Sequence, residues 1–526
     1  MRKFGARLLA AGLMLCGLLA ACAAPPSPVS ELRYGLTLVP TGLDPHINAS
    51  SELGIPLRSV YDTLIFRDAQ GRFVPGLARA WTISTDGLSY TFSLRAGVSF
   101  HDGTPFNGEA VRINLERILN PETKSQKARF MLGPLTRVEV LDALTVRLSL
   151  SEPFAPLLDA LSQPYCGMAS PTALAHWGDA DYQFHQVGSG PYRFAEYISG
   201  DHLTLERNSD YAWGPSIYSN RKAAVERIIF RFYADPATRA PALLSGEADV
   251  MGELPPQDAL RLQQDPSFQL MPVPIPGQPL ALYFNTQSPP TDDLSVRQAL
   301  IASAGRQAII DTIFGGLSPV ATSPLSSSTW GFVEVVPSAQ DTARAETLLD
   351  EAGWQRTPSS EWRVRDGTAL TVEVVIPPWG FNPQVGQMLE QQWEAIGIRV
   401  NLTQVASFAG LREAQAAGKY NLLSINLSGA DPDLLRPFFV SDGSYNLARV
   451  ADAQLDTLFG EAARATDPAE RLQLMAEAQQ RVAALALVLP VRDYVNLNVA
   501  RAGVQGLSFD AQGWFPLLID VSLKQP

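Results

Sequence analysis

The sequence predicts a mixed α/β protein of two or three domains, and three observations carry that expectation. The chain has 526 residues, more than one hydrophobic core ordinarily organises. Residues 370–405 read as strand, helix and strand, a βαβ unit whose two strands run parallel. Residues 66–186 read differently, as hairpins around a helix, an α+β unit. A composition of 46% hydrophobic and 18% charged residues excludes wholesale disorder.

The first thirty residues are an export signal. Arg2, Lys3 and Arg7 open the chain, an uncharged apolar run covers residues 8–21, and Leu19-Ala20-Ala21-Cys22 follows. The apolar run is shorter than the ~20 residues that span a bilayer. Cysteine directly after small residues resembles the bacterial lipobox, in which that cysteine is lipidated and becomes the first residue of the mature protein. The alternative is a plain signal peptide. Residues 1–21 are therefore expected to leave, Cys22 to carry lipid, and 22–30 to act as a Pro/Ser linker to an extracytoplasmic body. Once the signal and anchor are set aside, only Cys166 of three cysteines remains, which leaves no intrachain disulfide.

Along the body, Trp81 starts a strand pair turned at Asp86-Gly87, with Tyr90, Phe92 and Leu94 alternating against Thr91 and Ser93. Asn107 is placed to cap a helix with Val111, Leu115 and Ile118 on one face. Val138-Glu139-Val140 and Val146-Arg147-Leu148 flank a second turn. Residues 227–232 read as a strand, 235–245 as a helix ended by Gly246, and 281–285 as a buried strand. Residues 296–314 read as one long helix closed by Gly315-Gly316. In the βαβ unit, Val385, Met388, Leu389 and Trp393 share a helix face, and Gly397 follows the helix end. Asp467-Pro468-Ala469-Glu470 combines an N-cap, proline at N1 and a glutamate placed for a capping box. The tail from residue 490 is too short for a domain of its own and is expected to return to an earlier one.

Several function classes fall away. A net charge of −12 with no basic cluster beyond the signal argues against a phosphate-binding nucleic-acid surface. No metalloprotease, nucleophile-elbow, P-loop or dinucleotide motif occurs. Ser219-Asn220-Arg221-Lys222 fits Ser-x-x-Lys but lacks the partner motifs of penicillin-recognising enzymes. None of the five histidines (His46, His101, His176, His185, His202) stands at metal-ligand spacing from another on one helix, and no metal or cofactor is expected.

The motifs that stand out are non-catalytic. They run in order as Leu43-Asp44-Pro45-His46, Tyr61-Asp62-Thr63-Leu64, Pro75-Gly76-Leu77-Ala78-Arg79-Ala80-Trp81, and the run from Tyr90 through Phe100-His101-Asp102-Gly103-Thr104-Pro105-Phe106. Val187-Gly188-Ser189-Gly190-Pro191-Tyr192, Gly246-Glu247-Ala248-Asp249-Val250, Val296-Arg297-Gln298-Ala299-Leu300 and Ala352-Gly353-Trp354 continue the series. Together they resemble the family 5 solute-binding proteins of ABC importers over almost the whole mature chain. That resemblance implies a two-lobed fold of the periplasmic binding protein type II kind, in its large three-domain variant with a hinged ligand cleft. The implied division is 31–65, 187–285 and 490–526 for a discontinuous first domain, 66–186 for the second, and 286–489 for the second lobe. Hinges are expected near 283–286 and 489–492.

The resemblance also implies where a ligand lies. In peptide-binding relatives it pairs as an extended strand with backbone after the Asp-Pro-His run, here Ile47, Asn48, Ala49 and Ser50, and with a late strand, here through Asn426, Leu427, Ser428 and Gly429. An acidic residue after that strand holds the ligand amine. Asp431 is the first choice and Asp433 the second, the alternative being that either caps a turn. Trp379 stands where dipeptide binders carry a carboxylate-binding arginine, so Trp379 and Phe381 are expected either to stack on a ligand or to pack internally. No histidine follows His202, which disfavours direct nickel ligation.

The expected function is a non-enzymatic binding lipoprotein of the bacterial cell envelope. It would act as a monomer and deliver a peptide or peptide-like solute to the importer's permease. A non-peptide ligand such as an oligosaccharide, opine or metal chelate is the main alternative. A lipoprotein hydrolase and a sensor or chaperone-like binder are the others.

Overall fold

A computed structural model describes residues 30–40, 42–47, 50 and 52–524. The signal segment, residues 22–29 of the linker with Cys22, and the candidate residues Asn48 and Ala49 lie outside the described residues.

Two sheets organise the chain. One has seven strands in the order Phe268–Pro274, Val495–Arg501, Val250–Met251, Glu31–Leu36, Arg227–Phe232, His202–Arg207 and Tyr192–Ile198. Glu31–Leu36 runs parallel to both of its neighbours, and the remaining pairs are antiparallel. Of the tail, Val495–Arg501 lies in this sheet, while residues 490–492 belong to a strand of the second. The second sheet has five strands in the order Arg399–Gln404, Thr371–Ile376, Leu422–Ser424, Leu280–Phe284 and Val488–Arg492. The expected parallel βαβ pair is present, with Thr371 opposite Arg399, and helix Asn382–Ala395 buries Val385, Leu389 and Trp393 between them. Because that sheet is covered on both faces, it separates two cores, one around Trp393 and one around Tyr283 and Phe438.

The α+β unit forms an antiparallel four-stranded sheet in the order Ala78–Ile83, Ser89–Leu94, Thr145–Leu150 and Leu135–Asp142. Helix Gly108–Leu119 covers it with Val111, Leu115 and Ile118, and the Asn107 side chain accepts the Ala110 amide as its cap. This unit shares one continuous core with a face of the seven-stranded sheet.

Two expectations differ from the structure. The helix read over 296–314 is two helices, Leu294–Ser303 and Arg306–Phe314. Ala304 is extended and the Gly305 amide is taken by the Gln392 side chain at 2.7 Å, so the helical ladder cannot continue. The chain also passes between the two sheets at 275–279 and 493–494, whereas the expected hinge residues 283–284 and 489–492 lie inside strands of the second sheet.

Candidate ligand-binding cleft

The two connections between the sheets run side by side as a two-stranded ribbon. Pro274 pairs with Val495 on one side and Leu280 with Arg492 on the other, and between them the Ile275 amide donates to Tyr494 O at 2.9 Å. Glu31–Leu36 and Val250–Met251 end beside this ribbon, at the carboxyl edge where open α/β sheets take ligands.

The segment 426–429 lies against the first connection. Gly277 and Ser428 form a non-hydrogen-bonded antiparallel pair, bracketed by Gln278 N–H to Leu427 O at 2.8 Å and Gly429 N–H to Pro276 O at 3.0 Å. In such a pair the amide and carbonyl of Ser428 point to the opposite edge. The Ser428 side chain is exposed, while Leu427 N–H is already used by Gln278 Oε1 at 2.9 Å. A side chain at Gly277 would place its Cβ 2.5 Å from Leu427 O, and its φ of +125° favours glycine.

Trp379 and Phe381 come from the turn before helix Asn382–Ala395. Trp379 is half-exposed, and its carbonyl accepts both the Asn382 amide and side chain. Phe381 packs edge-on to Phe314 at 5.5 Å. Phe314 in turn lies under the Arg492 guanidinium at 4.0 Å, Arg492 stands 4.7 Å over Tyr494, and Tyr494 faces Trp514 at 5.8 Å. An unbroken run of rings and one cation thus crosses from the second lobe to the first. Burial lowers the Arg492 pKa to about 10, and its Nε has no partner.

Tyr494 continues the run, its hydroxyl donating to Glu253 at 3.0 Å. The Thr37 hydroxyl lies within hydrogen-bond reach of both Glu253 and Glu52. Burial raises the Glu52 pKa to about 7, even though it accepts from Thr37. Sequence reading singles out none of Thr37, Glu52, Glu253, Tyr494 and Trp514, and meets Arg492 only as the end of an expected hinge. Their only sequence signal was the proximity of Glu52 to residues 47–50, since the rest meet through sheet order rather than spacing.

Asp431 and Asp433 sit elsewhere, on the side where the α+β unit meets the second lobe. Both oxygens of Asp431 accept from Arg471, at 2.8 and 2.6 Å, and Oδ1 also accepts the Asp433 amide as the cap of Pro432–Leu435. Burial opposes its ionisation, but Arg471 prevails and holds the carboxyl below the usual carboxylate range. Asp433 is held by Arg436 at 3.0 and 2.9 Å. Arg67 reaches across to Ala430 O at 3.0 Å while pairing with Asp159 at 3.3 Å, and Gln512 accepts the Ala430 amide at 2.9 Å. A direct backbone bond, Ala155 N–H to Ala463 O at 2.8 Å, joins the same faces. The structure therefore brings Phe381 toward the ribbon, sets Asn426 to Gly429 along it, and holds Asp431 and Asp433 in ion pairs. Ile47 is half-buried, and Ser50 accepts the Tyr165 hydroxyl at 3.0 Å. A surface pocket of about 430 Å³ lined by Gln287, Arg412, Asn446 and Arg449 includes none of these residues.

The family model for bacterial extracellular solute-binding proteins, family 5 (middle), matches residues 72–446. The glutathione-binding protein GsiB of Pectobacterium atrosepticum is 31% identical over 461 residues, 84% of each chain. GsiB of Salmonella typhimurium is 30% identical over 458 residues, again 84% of each. Among solved structures, NikA of Brucella suis in complex with Fe(III)-EDTA superposes with a TM-score of 0.84 at 25% identity, covering 94% of this chain and 100% of that one. The oligopeptide-binding protein AppA of Bacillus subtilis, in complex with a nonapeptide, gives a TM-score of 0.74 at 19% identity, covering 94% and 99%, and bears on the fold alone.

Proposed function

Because the chain belongs to the bacterial extracellular solute-binding proteins of family 5, we propose that it captures a peptide or peptide-like solute where its two sheets meet. It is a substrate-binding protein of an ABC importer. The observation that carries the finer reading is the outward edge of Ser428. Its amide and carbonyl stand in strand geometry with the other edge already paired, so an extended backbone adds there as one more strand. The ring run from Phe381 to Trp514 supplies apolar faces for side chains beside it. A glutathione-like tripeptide is the first candidate, on the strength of the GsiB relatives. A second reading, a small anionic solute or chelate, draws on Arg492, a buried guanidinium with an unpartnered Nε.

Asp431 and Asp433 serve structure in this proposal, fixing the turn that starts at Asp431 within the second lobe, while Arg67 of the α+β unit approaches Asp431 at 3.8 Å. The body acts as a monomer divided into two lobes, flexing at 275–279 and 493–494. After export, lipid on Cys22 tethers it to the cell envelope and raises its effective concentration at the permease. Calorimetric titration with glutathione and with tri- to pentapeptides, alongside small-angle scattering, tests the reading. Saturable binding with compaction is expected. Absence of heat with every peptide, together with binding of an anionic chelate, transfers the assignment to the second reading.

A further inference from the structure

Asp44, Asp431 and Asp510 are each buried against an arginine, Arg117, Arg471 and Arg58. Glu52 and Glu253 have no such arginine, and neither do the buried Asp62, Asp493 and Asp520, which accept instead from neutral donors. Neither glutamate forms an ion pair among the described residues. Arg239, the cation whose field reaches both carboxylates, spends its guanidinium on the carbonyls of Tyr233, Ala234 and Glu253.

The local hydrogen-bond count is short of a cation. Thr37 Oγ1 reaches both Glu52 Oε1 and Glu253 Oε2, but a hydroxyl carries one proton and serves one of them. The Thr37 amide donates to Glu52 Oε1 at 2.8 Å and Tyr494 to Glu253 Oε1 at 3.0 Å. Glu52 Oε2 has no partner, although Glu52 is 93% buried by its 7% exposure. In the strand facing Gly252, Asn498 is fully buried, and its Oδ1 is a further acceptor without a donor. Acceptors without donors thus stand at the carboxyl ends of Glu31–Leu36 and Val250–Met251, while the unpartnered donors nearby, Arg492 Nε and Trp514 Nε1, pack on the far side of Tyr494.

We infer that Glu52 and Glu253 form the subsite for a primary ammonium group of the ligand, with Thr37 and Tyr494 holding the two carboxylates in place. An ammonium carries three donors and one positive charge, which suits two carboxylates that lack an ion-pair partner and the orphan Glu52 Oε2. This rests on the peptide-like reading of the cleft and specifies the ligand's charged end. It moves the amine anchor from the second lobe to the first.

The test uses the full mature protein incubated with a casein hydrolysate of small peptides, and with the same hydrolysate after acetylation of its amines. Retained peptides are quantified by mass spectrometry. The inference expects retention from the free pool and loss of it from the acetylated pool. It also expects the Glu52→Gln/Glu253→Gln variant to retain about tenfold less or lower still, with a thermal midpoint at or above wild type. Equal retention from both pools overturns the ammonium subsite and leaves the peptide reading standing. Retention from neither pool overturns both. Calcium ions alone raising the thermal midpoint of wild type but not of Glu52→Gln would make this a metal site and likewise overturn the assignment. If the double variant fails to fold, Glu52→Gln alone supplies the comparison.

Discussion

Arg471 grips Asp431 with both of its terminal nitrogens, at 2.8 and 2.6 Å, in a buried site where Asp431 also caps the turn that follows it. The contacts of Asp431 among the described residues are thus an ion pair and a turn cap. Asp431→Asn leaves Arg471 buried without its counter-charge and is expected to cost about 3–5 kcal/mol. Replacing both partners with apolar residues of similar size, as in Asp431→Leu/Arg471→Met, should recover much of that. Urea unfolding of the three proteins checks it, and an unaltered midpoint for Asp431→Asn contradicts it.

The ion pair of Asp431 is not legible in the sequence, for a local reason. Asp-Pro-Asp reads identically whether the first carboxylate caps a turn or faces a ligand, and its arginine partner is 40 residues away in another helix. Periodicity located the βαβ unit and the hairpins because their apolar spacing is set within each element. It joined 296–314 into one helix because the break at Ala304-Gly305 depends on Gln392, which the local pattern does not contain. The carboxylate pair was invisible for the same reason. Thr37 and Glu253 follow strands that neighbour each other in space and lie far apart in sequence, and Glu52 meets Glu253 through Thr37.

Arg67 is the cross-lobe pin, bonded to Ala430 O and paired with Asp159. Arg67→Met should loosen the contact between the α+β unit and the second lobe. Small-angle scattering of the ligand-free variant is expected to show a larger radius of gyration than wild type. Superimposable profiles would remove the pin.

Glu52 predicts a pH signature. Its folded pKa, raised by burial to about 7 from 4.5, means that the native state holds the proton more tightly than the unfolded chain. Its contribution to stability is therefore fully present below about pH 4.5 and is lost as pH rises toward about 7, a difference of about 3 kcal/mol. Glu52→Gln should flatten that slope relative to wild type in unfolding measured across the same window. Parallel slopes contradict the assignment.

Gly277 is expected to tolerate no side chain. Gly277→Ala adds a Cβ against Leu427 O at a positive φ and should destabilise by more than about 1 kcal/mol. Thermal unfolding reads the loss, and a wild-type midpoint contradicts the close approach of the two segments.

The proposed anchor is tested by fractionation. Cys22→Ser should release the body from membranes into the soluble envelope fraction, while persistence in the membrane fraction speaks against lipid at that residue.

The central claim, capture of a peptide-like solute beside the hinge ribbon, is tested most directly by native mass spectrometry of the protein purified from its own envelope without denaturation. The account predicts a single bound peptide-like compound per chain in wild type, lost when Tyr494 and Trp514 are both changed to alanine. A compound without a peptide-type backbone, or one retained undiminished by that variant, would contradict it.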